Sequence, residues 1–259
     1  MSVEALPFVN WILWGALAAG TLLVVGWTEW RGGTTRGYRL FMAWVVAACS
    51  AVWLLSEMAL APTPETAATA ELRRGLVWAF GLGSVAYLVA SLLRRPRSLV
   101  AVVGGVIGLA ALATLAVAGG TQHAALFAAG LLSAAVALGA VDAAMLLGHW
   151  YLVTPQLSPI PLRRMMWLLI GALAAQGIVF LVSMTASEGR LLAGELGWLT
   201  WLWLTVGILL PIAVTLLALR ATRAASLQAT TGLLYIGLAM VMAGTIGGAS
   251  LSYLSGVPL

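Results

Sequence analysis

The chain has 259 residues, of which 62% are apolar and 8% charged, and its mean hydropathy is +1.04. An average soluble domain carries about 25% charge, so composition excludes a water-soluble globule, a disordered chain and a disulfide-built secreted domain. All 13 cationic side chains are Arg, for a formal charge of +5. They sit between apolar runs rather than on one basic face, which excludes a nucleic-acid binder and points to an integral membrane protein.

A helix needs about 20 apolar residues to cross the hydrocarbon. Runs of that length cover Phe8–Thr28, Leu40–Leu60, Gly75–Leu93, Ser98–Ala118, Ala124–Leu147, Met165–Ala186, Gly197–Leu219 and Leu227–Leu254. The expected fold is all-α: a polytopic transmembrane bundle of eight helices forming one integral membrane domain over residues 1–259, with no soluble domain. The longest outer connection lies near Ala61–Leu72.

The first run is preceded by Glu4 and by no Lys or Arg, and it is full length, ending on Trp27 and Trp30. A cleaved signal has a positive start and a shorter apolar stretch, so this run is expected to stay in the mature protein. The second run holds Cys49, the sole thiol, and Glu57 in its last turn, read as a snorkelling rim carboxylate. One thiol gives no intrachain disulfide, iron–sulfur cluster or Cys-rich metal site. Arg73 and Arg74 are assigned to the connection before the third run. In the fourth run Gly104 and Gly108 form a small-residue face, the kind that lets helices approach closely in lipid.

The fifth run carries the candidate site. Asp142 lies inside it, about three turns from its inner tip, where a carboxylate costs a few kcal/mol to insert. It must face the bundle interior, a wet cavity or a cation, or be protonated; a neutral Asp hydrogen-bonded to a hydroxyl or a carbonyl is the structural alternative. His149 follows seven residues later, on nearly the same helix face and roughly 10 Å farther along the axis. With Met145, Trp150 and Tyr151 it assembles an acid, an imidazole, an indole and a phenol toward one end of the helix. A connector with Pro155, Pro159 and Pro161 is expected to fold over these groups and to bring Arg163 and Arg164 to them. The plainer reading of His149, Trp150 and Tyr151 is a set of interfacial anchors.

In the seventh run Pro211 is expected to impose a kink. In the eighth, Gly244 and Gly248, with Gly237 and Gly247 nearby, mark a second small-residue contact face.

Orientation follows from the arginines. Arg31, Arg36 and Arg39, then Arg94, Arg95 and Arg97, then Arg163 and Arg164, then Arg220 and Arg223 occupy alternate connections, and only Arg73, Arg74 and Arg190 occupy the others. The positive-inside rule places the first set in the cytoplasm and both termini outside, with Glu4, Glu65, Glu71, Glu188 and Glu195. Most of the 12 tryptophans, among them Trp11, Trp14, Trp53 and Trp78 at one level and Trp27, Trp30, Trp44 and Trp167 at the other, read as interfacial belts. A four-plus-four repeat, residues 1–120 and 121–259, is suggested by Glu29-Trp30 and His149-Trp150 closing the first and fifth runs.

Three functions fit these features. The first is a membrane subunit of a bacterial electron-transfer complex binding quinone or quinol at Asp142, Met145, His149, Trp150, Tyr151, Arg163 and Arg164: His and Tyr can donate to the ring carbonyls and Asp can pass protons. Haem is restricted, because the two histidines, His123 and His149, are about 39 Å apart along one helix. A haem would need a non-His or partner-supplied second ligand. The second is a proton-coupled small-molecule transporter using Asp142, against which the first four runs offer almost no buried polar groups. The third is a structural or assembly subunit without its own site. Expected partners are the lipid bilayer and other membrane or peripheral subunits, with no nucleic acid. Arg-only basic usage with abundant Ala, Gly and Leu suggests a GC-rich bacterium and its cytoplasmic (inner) membrane. No phosphate-binding Gly-Lys-Ser/Thr loop, His-Glu-x-x-His or Gly-x-Ser-x-Gly pattern supports ATP hydrolysis, zinc proteolysis or hydrolase chemistry.

Overall fold

The computed structural model describes residues 5–60, 67–94, 97–118, 124–154, 157–186, 192 and 194–255. Helix is the only regular structure among them. The elements are α1 (Ala5–Arg31), α2 (Arg36–Ala59), α3 (Ala67–Leu92), α4 (Ser98–Ala118), α5 (Ala124–Val153), α6 (Ile160–Ala186), α7 (Gly197–Arg223) and α8 (Leu227–Ser255). All eight are long and apolar enough to cross a bilayer, as the run lengths predict. The early start of α3 differs from expectation. Glu71, Arg73 and Arg74 lie on the helix rather than in a connection, because one of these charges, Arg73, is neutralised inside the bundle. Pro155, His123, Glu65, Arg95, Glu188 and Arg190 lie outside the described residues, so the parts of the reading that used them have no structural counterpart here.

Each half of the chain closes a ring of four helices. In the first, α1 packs on α2 and α4, and α3 packs on both of those; in the second, α5 packs on α6 and α8, and α7 packs on both of those. Between the rings α1 lies against α5, α1 touches α8 and α4 touches α5. Exchanging the two halves maps this pattern of neighbours onto itself. The helix at the centre is α1, the most enclosed of the eight.

Glycine makes the central crossing. A Cβ on Gly20 of α1 would collide with the backbone carbonyl of Ala135 on α5, and one on Gly139 would collide with the backbone of Gly20. Close backbone approach of this kind is how helices associate where lipid removes the hydrophobic driving force. The two glycine faces expected from sequence are contacts within this chain. Gly104 and Gly108 of α4 receive Leu22, Ala19 and Phe80, while Gly244 of α8 meets Gly207 of α7 and Gly248 meets the Trp203 indole.

Pro211 acts through the turns before it. Trp203–Leu209 form a π-helix, with the Leu210 N–H bonding to the Thr205 carbonyl, and α-helix then resumes from Leu210 to Arg223. Proline has no N–H to continue the α ladder, and its ring crowds the carbonyl four residues back; widening the preceding turns relieves that crowding.

The tryptophan belts are partly real. Trp30, Trp44, Trp78, Trp167, Trp198 and Trp201 are exposed at the rims, but Trp11 and Trp53 are fully buried. Their rings meet at 5.3 Å between centroids, tilted by 58°, and Trp53 meets Phe80 edge-on at 5.2 Å. Axial level is legible from sequence, whereas the direction an indole points around the helix is not.

Candidate functional site

Two buried carboxylates, Glu57 and Asp142, and a partly buried one, Glu29, tie the helices together in two different ways. Near the end of the bundle opposite the arginine-rich one, Glu57 of α2 and Arg73 of α3 are an enclosed pair, with side chains 2% and 1% exposed. Arg73 Nε donates to both carboxylate oxygens at 3.1–3.2 Å and Nη2 donates to Oε1 at 3.1 Å. Trp11 Nε1 of α1 adds a fourth hydrogen bond at 2.7 Å, and its ring lies 5.8 Å from the guanidinium carbon. Glu57 is therefore not a snorkelling rim carboxylate: it joins α1, α2 and α3. At the arginine-rich end Glu29 of α1 meets Arg97 at 2.8 Å and Arg39 at 3.8 Å and accepts from the Tyr87 hydroxyl at 3.4 Å, joining all four helices of the first ring. The expectation that the first four helices hold almost no buried polar groups is thus corrected.

Asp142 differs from both. It is 7% exposed, on the face of α5 that meets α1, three residues past the Gly139 crossing. Among the described residues its one hydrogen-bond partner is the Thr21 hydroxyl of α1, which donates to Oδ2 at 3.0 Å, and no arginine pairs with it. One residue on, the Ala143 carbonyl accepts from the buried Tyr38 hydroxyl of α2 at 2.8 Å. Met145, three residues farther along α5, is also buried. Asp142 therefore sits where the two rings meet, about 16 Å from the arginine-rich end of its helix.

The other residues named with Asp142 in the sequence do not close around it. His149 is exposed. Trp150 is half-buried and lies over Gly37 at the start of α2, where a Cβ would meet its ring at 2.6 Å. Tyr151 is buried and donates its hydroxyl to the Ser158 carbonyl at 2.7 Å, so the described part of the Pro-rich connector does fold back on α5. Arg163 and Arg164, at the start of α6, are half-buried and make no ion pair among the described residues. Shared helix azimuth brought Asp142 and His149 into one expectation. Their depth separates them: α1 covers α5 at the Gly20–Gly139 crossing, ten residues and about 15 Å before His149.

A feature without a clear sequence signal lies in the second ring, toward the other end. Gln176 of α6, Trp203 of the π-segment, Gly244, Thr245 and Ser252 of α8 and Phe127 of α5 border a cavity of about 20 Å³, room for one water. Gln176 is nine-tenths buried and its amide makes no hydrogen bond among the described residues, and the Ser252 hydroxyl is also unpaired. No group of three His, Cys, Asp or Glu side chains that could hold a metal ion occurs among the described residues.

Fold and site together define a polytopic helical membrane protein, with one uncompensated carboxylate at the junction of its two four-helix rings. Comparison with known protein families, with curated proteins and with solved structures finds no match to this chain.

Proposed function

We propose that this chain is a proton-coupled transporter of a small solute in a bacterial cytoplasmic membrane, and that Asp142 is its proton-carrying group. One observation carries the reading. Of these three carboxylates, Glu29 and Glu57 are paired with arginines, and Asp142 has only a hydroxyl among the described residues. A carboxyl group bonded to a threonine can be held in either protonation form, since a hydroxyl both donates and accepts. Intramembrane acids so placed mark proton relays, and transporter sites gather near the midplane where repeats meet.

Two further features support it. The π-segment, with the Gly207–Gly244 backbone contact, places a local irregularity of a kind frequent at functional sites in the helix pair beside the Gln176 cavity. The first ring, pinned by ion pairs near both ends, offers a rigid body against which the second can move. The arginine-rich end is assigned to the cytoplasm by the positive-inside rule.

The test uses proteoliposomes carrying a pH-sensitive dye, challenged in turn with neutral sugars, amino acids, organic acids and organic cations. One class is expected to drive proton movement in the wild type and not in Asp142→Asn. Silence with every class, or equal movement in both proteins, contradicts the reading.

The electron-transfer reading retains one specific support. His149 is exposed at the arginine-rich end, and Arg163 and Arg164 have no ion-pair partner, so a quinone entering sideways from lipid would find a donor and cations there without a cavity around Asp142. Quinone in an organic extract of the purified protein, lost in His149→Ala, is the result that would move the conclusion to that function.

A further inference from the structure

At the arginine-rich end of the first ring the charges do not balance. The described residues there include Arg31, Arg36, Arg39, Arg94 and Arg97, with Glu29 the one carboxylate among them. Its pairings are also incomplete. Arg97 Nε lies 2.8 Å from Glu29 Oε1 and Arg39 Nε lies 3.8 Å from it, yet neither Nε–H makes a well-aligned hydrogen bond among the described residues, and both nitrogens are buried. The contrast with Arg73, which directs three N–H···O bonds onto Glu57, shows what a closed pair looks like in this same molecule. Arg97 is 6% exposed, so water does not readily replace the missing acceptors.

Two hydroxyls at this end of the first ring are also unpaired among the described residues. Ser91 is one turn beyond Tyr87 on the same face of α3; it is fully buried and its hydroxyl has no partner. Thr34, in the α1–α2 turn just before the Thr35 cap of α2, also has a buried, unpaired hydroxyl. Buried polar groups in native proteins are nearly always satisfied, and a cluster of unsatisfied donors marks a place where a ligand or an ion supplies the acceptors. The backbone adds to this, because α2 and α4 both begin at this end, directing their N-terminal N–H groups and positive dipole ends toward it.

We infer that this cluster is a binding site for a phosphate oxyanion, carried by the headgroup of an anionic phospholipid, with Arg39 and Arg97, which meet at Glu29, as its cationic donors. The site lies where four helix ends meet, the level at which headgroups sit, and basic pockets between transmembrane helices are suited to such headgroups. Arg39, with its side chain 23% exposed, forms the open side through which the headgroup is reached, and Arg97 forms the enclosed floor. Glu29 remains the pivot that holds both guanidiniums in place.

The test is lipid retention by the full-length protein. Detergent-purified chain is exchanged into vesicles of phosphatidylglycerol or of phosphatidylcholine, re-extracted, and its bound lipid is counted by native mass spectrometry. Wild type should keep phosphatidylglycerol and not phosphatidylcholine. Arg39→Gln should lower that retention about five-fold, the loss expected for one basic side chain near a membrane surface. Arg220→Gln, at the same end but in the second ring, should leave it unchanged. Arg39 is chosen because it is partly exposed and its loss leaves the Glu29–Arg97 contact standing. Inorganic phosphate added to delipidated protein distinguishes the source. Failure to displace the lipid supports the headgroup; displacement that is lost in Arg39→Gln supports the same oxyanion site with a soluble ligand. Equal retention of the two lipids, or wild-type retention in Arg39→Gln, overturns the inference.

Discussion

Removing the charge of Glu57 while keeping its shape isolates the buried clamp. In Glu57→Gln the amide can accept at one oxygen, but Arg73, 1% exposed, is left as a buried cation without a counter-charge. Three N–H donors, two from Arg73 and one from Trp11, converge on the native carboxylate in four hydrogen bonds of 3.2 Å or less. Breaking a buried pair by removing one partner costs about 3–5 kcal/mol, so the folding equilibrium should fall by at least about 100-fold. The assay is reversible denaturation in mixed micelles as SDS is titrated in, followed by Trp fluorescence. The partner substitution makes the test specific. Arg73→Met alone leaves a buried anion and should cost a similar amount, whereas Glu57→Gln with Arg73→Met leaves no unpaired charge and should recover most of the loss. A Glu57→Gln protein within about 1 kcal/mol of wild type, or strict additivity of the two substitutions, would refute the claim that this pair is closed and dry.

Other consequences follow from the same structure. Gly139→Leu places a side chain against the backbone of Gly20, and should separate α1 from α5 and lower stability by several kcal/mol, read from the same denaturation; a neutral outcome would mean that the rings are not packed at this crossing. Thr21→Val removes the one hydrogen-bond partner that Asp142 has among the described residues and should cost about 0.6 kcal/mol, the average for hydrogen bonds between membrane helices, and no more than about 1.7 kcal/mol. Pro211→Ala restores the missing N–H, so the π-segment at Trp203–Leu209 should tighten to α-helix, seen as slower amide exchange there; unchanged exchange would detach the π-helix from the proline.

The parts of this fold legible in the sequence are those that depend on axial position. Apolar run length places all eight helices, because hydrocarbon thickness fixes their span. The glycine pairs of α4 and α8 announce close contacts, though not that their partners are in the same chain. What could not be read is which way a side chain faces and what it meets across the bundle. Arg73 breaks the apolar run and so resembles a loop residue, until Glu57 is found 16 positions away in space beside it. Gly20 and Gly139 come from distant parts of the chain, and neither has a flanking pattern that singles it out. Helix α5 is apolar on every face, so nothing in its periodicity shows that Asp142 meets α1 while His149, almost in line with it, lies exposed. Burial along a membrane helix depends on where neighbours cross it as well as on azimuth, and crossings are set by residues in other helices.

The account rests on Asp142 exchanging a proton inside the bundle. Infrared difference spectra of the reconstituted protein, recorded as pH is stepped across the range in which it stays folded, test this directly. One buried carboxylic C=O band should rise and fall reversibly, shift in D2O, and vanish in Asp142→Asn. A spectrum with no such band, or a band that persists in Asp142→Asn, would contradict it.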